Sequence, residues 1–502
     1  MTNKFDAIVI GSGVGGLITA NLLAREGLKV CVLEKNKQIG GALQVYVRQR
    51  VIFDTGVHYI GGLAPGENLH QLFKFLGIMD KLKLKRVEGV FDKVIISGDA
   101  KEYRMAQGYQ HFIDTLLEDF PGESVALHAY CDKIKDICSR FGLYNLRAGG
   151  TFEEKAETME LDTRAFLESI TENKKLQAVL AGNNMLYAGQ PDKTPFYVHA
   201  LILNSYIEST WKCVNGGSQI AKLLSRSLHA QGGVVRIHSE VKNLVETDGK
   251  ICYAELKDGS KLEADIFVSN IHPAKTLEMT ASSQIRNSFR NRIKQLENSV
   301  SSFTVDIILK PGCFPVFDCN YYYHKEGHIW DGPDYKAEAW PLVYGAFMPP
   351  QEDNQFARSL SLLTYMRFEE MAPWAGTFNT VSQEEPRGAD YEAFKKDKAE
   401  RLIDVVEEKF PGLRNCIESY YTSTPLSYRD YIGNDDGSMY GIVRDFRDPM
   451  RTMISPRTKV PNLYLTGQNM NMHGILGAAL SALATSIAIT GREDLIDRIR
   501  HA

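Results

Sequence analysis

The chain opens on a short apolar run, Ala7-Ile8-Val9-Ile10, the pattern of a strand buried on both faces in a parallel sheet. Residues 17–26 then place apolar side chains at helical spacing, and Gly27 ends that run. Residues 29–33 form a second buried strand closing on Glu34. Helical periodicity recurs at 68–76, 110–119, 124–141, 195–206 and 218–230, and residues 51–53 and 234–238 read as strands. Residues 241–247, 251–256 and 261–263 form a meander with Asp248-Gly249 and Asp258-Gly259 as its hairpin turns, and 265–269 is one more buried strand. Lys81, Lys83, Lys85 and Arg86 alternate with leucines, as in a solvated edge strand or a basic patch facing a membrane. Near the C-terminus a strand at 462–466 precedes a helix at 475–489 rich in Ala, Ser and Gly, a second strand–glycine–helix unit. A chain that returns in this way to its first sheet makes a discontinuous domain.

Between the first strand and helix stand Gly11, Gly13 and Gly16 in the spacing G-x-G-x-x-G. Gly11 permits the tight turn, Gly13 lets a pyrophosphate approach the backbone, and Gly16 lets helix and strand pack closely. The helix N-terminus offers unpaired N–H groups and partial positive charge to the diphosphate. Glu34 stands where the ribose hydroxyls need an acceptor, and its charge disfavours the 2′-phosphate of NADP. This unit leaves FAD and NAD both open. The pair Gly40-Gly41 looks like the extension in FAD enzymes of the glutathione-reductase and amine-oxidase type, which favours FAD.

At 502 residues the chain is long for one core, so two or three domains are expected. A net charge of −4, with both signs mixed throughout, gives no pull toward nucleic acid. The eight cysteines are scattered without a C-x-x-C pair, which argues against a zinc ribbon or a disulfide framework and for a reducing, cytoplasmic setting. The first strand begins within a few residues of Met1, leaving no room for a signal peptide. The longest apolar stretch, 474–490, is diluted by Gly, Ser and Thr and reads as a buried helix rather than a span. The protein is expected to be soluble, or at most attached to a membrane surface. His324 and His328 stand in H-x-x-x-H around Gly327 without helical flanks, so a surface loop is expected there and no metal site. Aromatic residues crowd positions 321–374, mostly as core, with some candidates for a substrate cavity.

The segments FDTGVHYIGG (53–62), LYLTGQ…GILGA (463–478) and TPLSYRDYIGNDDGSMYGI (424–442) resemble those of the retinol saturases. These belong with phytoene desaturases and carotenoid isomerases among FAD-containing, amine-oxidase-like enzymes. The resemblance runs over essentially the whole chain. It implies an α/β fold: a Rossmann-type FAD-binding domain at 1–75, 211–285 and 455–502, with a mixed α+β substrate domain at 76–210 and 286–454. It further implies that FAD lies against Gly11, Gly13, Val14, Gly15, Gly16, Glu34, Lys35, Gly40, Gly41, Ala42 and the Asp54-Thr55-Gly56 turn. Val241 would face adenine, while Gly467, Gln468, Ile475 and Leu476 would lie along the ribityl chain and ring. Two features depart from the vertebrate saturases: the missing hydrophobic leader and the segment from Asn469 to His473.

The implied chemistry is reduction, desaturation or isomerisation of carbon–carbon double bonds in a polyene or isoprenoid lipid. Saturation is the first expectation, because His58 and His473 flank the expected flavin position and a proton must reach the carbon beside the one that receives hydride. Desaturase, redox-neutral isomerase, flavin amine oxidase and non-catalytic pigment chaperone are the alternatives. FAD is expected to be non-covalent. No second strand-flanked G-x-G-x-x-G marks an NAD(P)H domain, so electrons are expected from an external partner or from NAD(P)H docking transiently.

Overall fold

The computed structural model describes residues 4–149, 157–350 and 355–502. Strand β1 (Lys4–Ile10) sits at the centre of a seven-stranded sheet, and its second half is fully buried. It pairs in parallel with β2 (Val30–Leu33), reached through helix α1 (Val14–Arg25), and Val234–Arg236 extends the sheet beyond β2. The other neighbour of β1 is Lys261–Ser269, also parallel.

That nine-residue strand corrects the reading of 261–263 and 265–269 as separate elements. Its first half pairs antiparallel with Lys250–Leu256, which closes the hairpin with Val241–Thr247, and its second half pairs in parallel with Leu463–Leu465. The first half alternates exposed and buried positions while the second is buried, so one strand carries two hydrophobic patterns. Its change of partner brings the C-terminal segment into the first sheet.

A second seven-stranded sheet runs Ile417–Ser423, Ser301–Leu309, Ser359–Met366, Val343–Phe347, Asn320–His324, Val90–Ile96 and Tyr103–Ala106. Most aromatic residues of 321–374 are core here, Tyr322, Tyr335, Tyr344 and Tyr365 being completely enclosed. His324 is one of these core residues, bonded to the Gly182 carbonyl, whereas His328 is exposed beside Asp331. The basic stretch forms a helical turn at Met79–Lys81 and only then a short edge strand, Leu84–Arg86, paired with Thr210–Cys213. Alternation alone overstated that strand.

One disulfide, Cys313–Cys416, spans 103 residues, a pairing that the scattered spacing of the cysteines did not suggest. Its halves lie beyond Ser301–Leu309 and at the start of Ile417–Ser423, which are neighbouring strands, so pairing in space supplies the proximity that sequence spacing hides. Among the described residues no helix is long and apolar enough to cross a membrane.

Candidate active site

The turn after β1 is bare backbone by necessity. Gly11 has φ +92°, a region closed to most side chains, and α1 begins at Val14 with no side chain capping its first N–H groups. Two other segments close on this turn. A Cβ on Gly15 would lie 2.9 Å from Gly467 Cα, and one on Gly41 would lie 3.3 Å from Gly13 Cα. Gly13 and Gly40 also form a parallel bridge. Three glycine segments from distant parts of the chain therefore surround one helix N-terminus, a geometry that fits a dinucleotide diphosphate.

Glu34, at the end of β2, is fixed by three donors. Ser12 N and Oγ both donate to Oε2, at 3.1 and 2.5 Å, and Asn36 N donates to Oε1 at 2.8 Å. Ser12 Oγ in turn accepts from Gly40 N at 3.1 Å, so this one hydroxyl locks the acid to both glycine turns. Asn270, the first residue after Lys261–Ser269, packs against the same glycines. A Cβ on Gly13, Gly15 or Gly467 would come within 2.4–2.9 Å of its side-chain amide. Neither Ser12 nor Asn270 belongs to the glycine pattern. The only sequence signal for Asn270 is a polar residue ending an apolar strand run.

The Asp54-Thr55-Gly56 turn lies against Ala42 and Gln44. Thr55 Oγ1 donates to the Gln44 carbonyl at 2.9 Å, and a Cβ on Gly56 would meet Ala42 Cβ at 3.1 Å. Asp54 accepts from Gly217 N at 2.7 Å, and burial pushes its carboxyl up to about 7. Lys35 points elsewhere, its Nζ donating to the Asp430 carbonyl at 2.9 Å. Val241 opens its strand two residues after Ser239, whose N–H donates to the Glu34 carbonyl at 2.8 Å. Gln468 turns toward the Met439 carbonyl, 3.5 Å away.

Beyond the glycine cradle, Ala42, Gly56, Ile475 and Leu476 wall a cavity of about 170 Å³. His58 and His473, 415 positions apart in sequence, line this same cavity with Tyr59, Tyr206, Tyr322, Phe347 and Tyr440. His58 stacks on Phe347 with ring centroids 4.3 Å apart. His473 lies over Tyr440 at 4.4 Å, and its Nε2 faces the Leu186 carbonyl at 2.9 Å, so Nε2 carries the proton and donates. Burial lowers both imidazoles to about 4, and for His58 the Lys212 ammonium adds to the effect. Both rings are therefore neutral at pH 7. A larger cavity of about 670 Å³ shares Ala42, His58, Leu363 and Tyr428 with the first. It is more polar, with Asp54, Asp306 and Ser361 on its walls.

The family model for flavin-containing amine oxidoreductases matches residues 14–313, more than half of the chain. The chain belongs to this family. The all-trans-retinol 13,14-reductase of Rattus norvegicus is 28% identical, over 97% of this chain and 86% of its own. The chloroplastic prolycopene isomerase of Arabidopsis thaliana is 24% identical, over 95% of this chain and 81% of its own. Among solved structures, an oxidoreductase from Methanosarcina mazei shares the fold with a TM-score of 0.64 at 14% identity, covering 97% of this chain and 100% of that one. Family membership assigns a flavin cofactor and an oxidoreductase activity, and the glycine cradle with its anchored Glu34 fits that cofactor.

Proposed function

We propose that the protein binds FAD non-covalently and adds hydrogen across a conjugated carbon–carbon double bond of a polyene or isoprenoid lipid. The observation that carries this reading is the cavity beside the cradle, walled by aliphatic and aromatic side chains with histidine and tyrosine as its main polar groups. The retinol 13,14-reductase relatives support it. FAD supplies the hydride when bound. This chain's residues hold the diphosphate on the N–H groups of α1, accept the ribose hydroxyls on Glu34, and keep water from the reacting carbons with the aromatic wall.

The division into an FAD part (1–75, 211–285, 455–502) and a substrate part (76–210, 286–454) belongs to this proposal. So do an external electron donor, a cytoplasmic setting and peripheral contact with the membrane that stores the substrate. An amine substrate fits less well, because among the described residues no carboxylate lines the inner cavity to receive an ammonium group. A redox-neutral isomerase is the second reading. Two histidines held neutral suit a reaction without net protonation, and prolycopene isomerases are among the relatives.

Anaerobic mixing of dithionite-reduced protein with a conjugated polyene separates these readings. Saturation returns oxidised flavin and a product two mass units heavier. An unchanged mass identifies the isomerase, and a product two units lighter from oxidised protein identifies a desaturase.

A further inference from the structure

With both cavity histidines neutral, the proton for the second carbon needs another source. The same wall carries one. Tyr59 and Tyr322 both line the cavity, and their hydroxyl oxygens lie 2.5 Å apart. Behind them, Tyr59 Oη lies 3.1 Å from Asp92 Oδ2. Asp92 has no solvent exposure and makes no ion pair among the described residues; instead Asn183 donates to Oδ2 at 2.6 Å and Asn320 to Oδ1 at 2.9 Å. Burial disfavours the ionised form of this carboxyl, the two amides and the Tyr59 phenol that donate to it favour ionisation, and burial is the larger effect.

We propose that Asp92, Tyr59 and Tyr322 form a proton relay that delivers the proton of the reduction to the cavity, with Tyr322 as the terminal donor. The inference rests on the saturase reading above. Hydride arriving from the reduced cofactor forms one C–H bond and moves the π electron pair to the neighbouring carbon. That pair takes the Tyr322 phenolic proton, forming the second C–H bond. Tyr322 oxygen takes the proton of Tyr59, and Tyr59 oxygen takes that of the Asp92 carboxyl. Asp92 is left as carboxylate, and once product has left, a proton from water entering the cavity passes back through Tyr322 and Tyr59 to it. The double bond gains two electrons and the cofactor loses two.

The electrostatics favour this order. Burial pushes the Asp92 carboxyl up to about 7, which puts its proton in play near neutral pH. Burial and the neighbouring Asp92 hold both phenols well above their usual range, so both rest as neutral phenols and Tyr322 gives up its proton only as Tyr59 supplies another from behind. The groups facing Asp92 are Tyr59, Tyr322, Asn183 and Asn320, with Tyr206, Cys319 and Lys212 at longer range. Lys212 is buried, donates to the Met348 carbonyl at 3.0 Å, and opposes the rise at Asp92.

The test compares the FAD-loaded full chain with Tyr59→Phe, Tyr322→Phe and Asp92→Asn, using Tyr344→Phe as control. Tyr344 is an equally buried phenol of the same sheet that does not line the cavity, and its hydroxyl has no hydrogen-bond partner among the described residues. Each relay variant is expected to slow polyene-driven flavin reoxidation tenfold or more. Flavin content and reoxidation by a one-electron acceptor should stay unchanged, as should the control. The wild-type rate should fall as pH rises through about 7, and Asp92→Asn should remove that limb. Infrared titration of cofactor-free protein gives a readout apart from turnover: a buried-carboxyl stretch that disappears near pH 7, is absent in Asp92→Asn and is shifted in Tyr59→Phe. Relay variants that match wild type, or carboxyl bands identical in wild type and Asp92→Asn, overturn the relay alone; the Asp54 carboxyl, also raised to about 7, keeps its own band in both. Wild-type protein that yields no heavier product overturns the saturase reading, and the donor role with it.

Discussion

At the scale of single residues, Glu34 and His58 do different work. Glu34 is an anchored acceptor, held by Ser12 and Asn36 and aimed past the glycine turn. Glu34→Ala removes a charged hydrogen-bond acceptor of about 1.5–3 kcal/mol, so FAD affinity should fall roughly ten- to hundredfold. Fluorescence titration of apoprotein measures this directly, and an unchanged affinity would mean that the ribose lies elsewhere. His58 is a neutral ring stacked on Phe347, with its proton affinity lowered to about 4. A base whose folded value lies below its free value takes up its proton only well into acid. The substrate-driven rate should therefore show no histidine inflection near pH 6.5. His58→Phe should slow turnover severalfold while FAD stays bound, and variants that have lost the yellow colour would assign the ring to cofactor retention instead.

At the scale of elements, the site is a junction of turns rather than a motif. The turn after β1, the Gly40-Gly41 turn and the Gly467 turn meet with no room for one extra carbon. Gly15→Ala should give folded protein that retains little or no flavin, because its methyl would enter the space of Asn270 Oδ1 and Gly467 Cα. Near-normal helix content with the flavin absorbance lost is the expected pair of measurements. The Cys313–Cys416 link acts on the second sheet, tying two neighbouring strands across a loop of 103 residues. Closing a loop of that length stabilises by up to about 4–5 kcal/mol through the unfolded chain. Cys313→Ser should lower Tm by several degrees, and alkylation of the denatured protein without reductant should label six of the eight cysteines.

At the scale of the whole molecule, the proposed lipid substrate requires access from a membrane, and among the described residues no helix is long and apolar enough to span one. The stretch from Lys81 to Arg86 is the candidate contact, but Lys85 already pairs with Asp318 and Arg86 lies over the Trp211 ring. Lys81 and Lys83 are left as the exposed charges for anionic headgroups. Anionic vesicles should retain the protein at low ionic strength and release it near 0.5 M salt, where the screening length is only about 4 Å. Lys81→Ser with Lys83→Ser should cut that retention several-fold, and unchanged binding would leave this stretch a solvated edge.

The first unit was legible from sequence because its signals are local. An apolar run, three glycines at fixed spacing, a helix and an acid all fall within one strand–helix–strand turn, where the backbone alone imposes the residue types. Helix 218–230 was legible for the same reason, its periodicity and glycine ends being its own. Tertiary structure decided whatever depends on partners distant along the chain. Lys261–Ser269 looked like two strands because its neighbours change halfway along it, and Cys313 found Cys416 only through strand pairing. His58 was marked by motif and His473 only by its place between two motif segments, but their shared cavity and their neutrality follow from burial that no spacing encodes. Asp92 shows the same limit most plainly. In sequence it is one acid in an ordinary strand; only folding removes its water, gives it two amides and a phenol, and so keeps a proton within reach of the cavity.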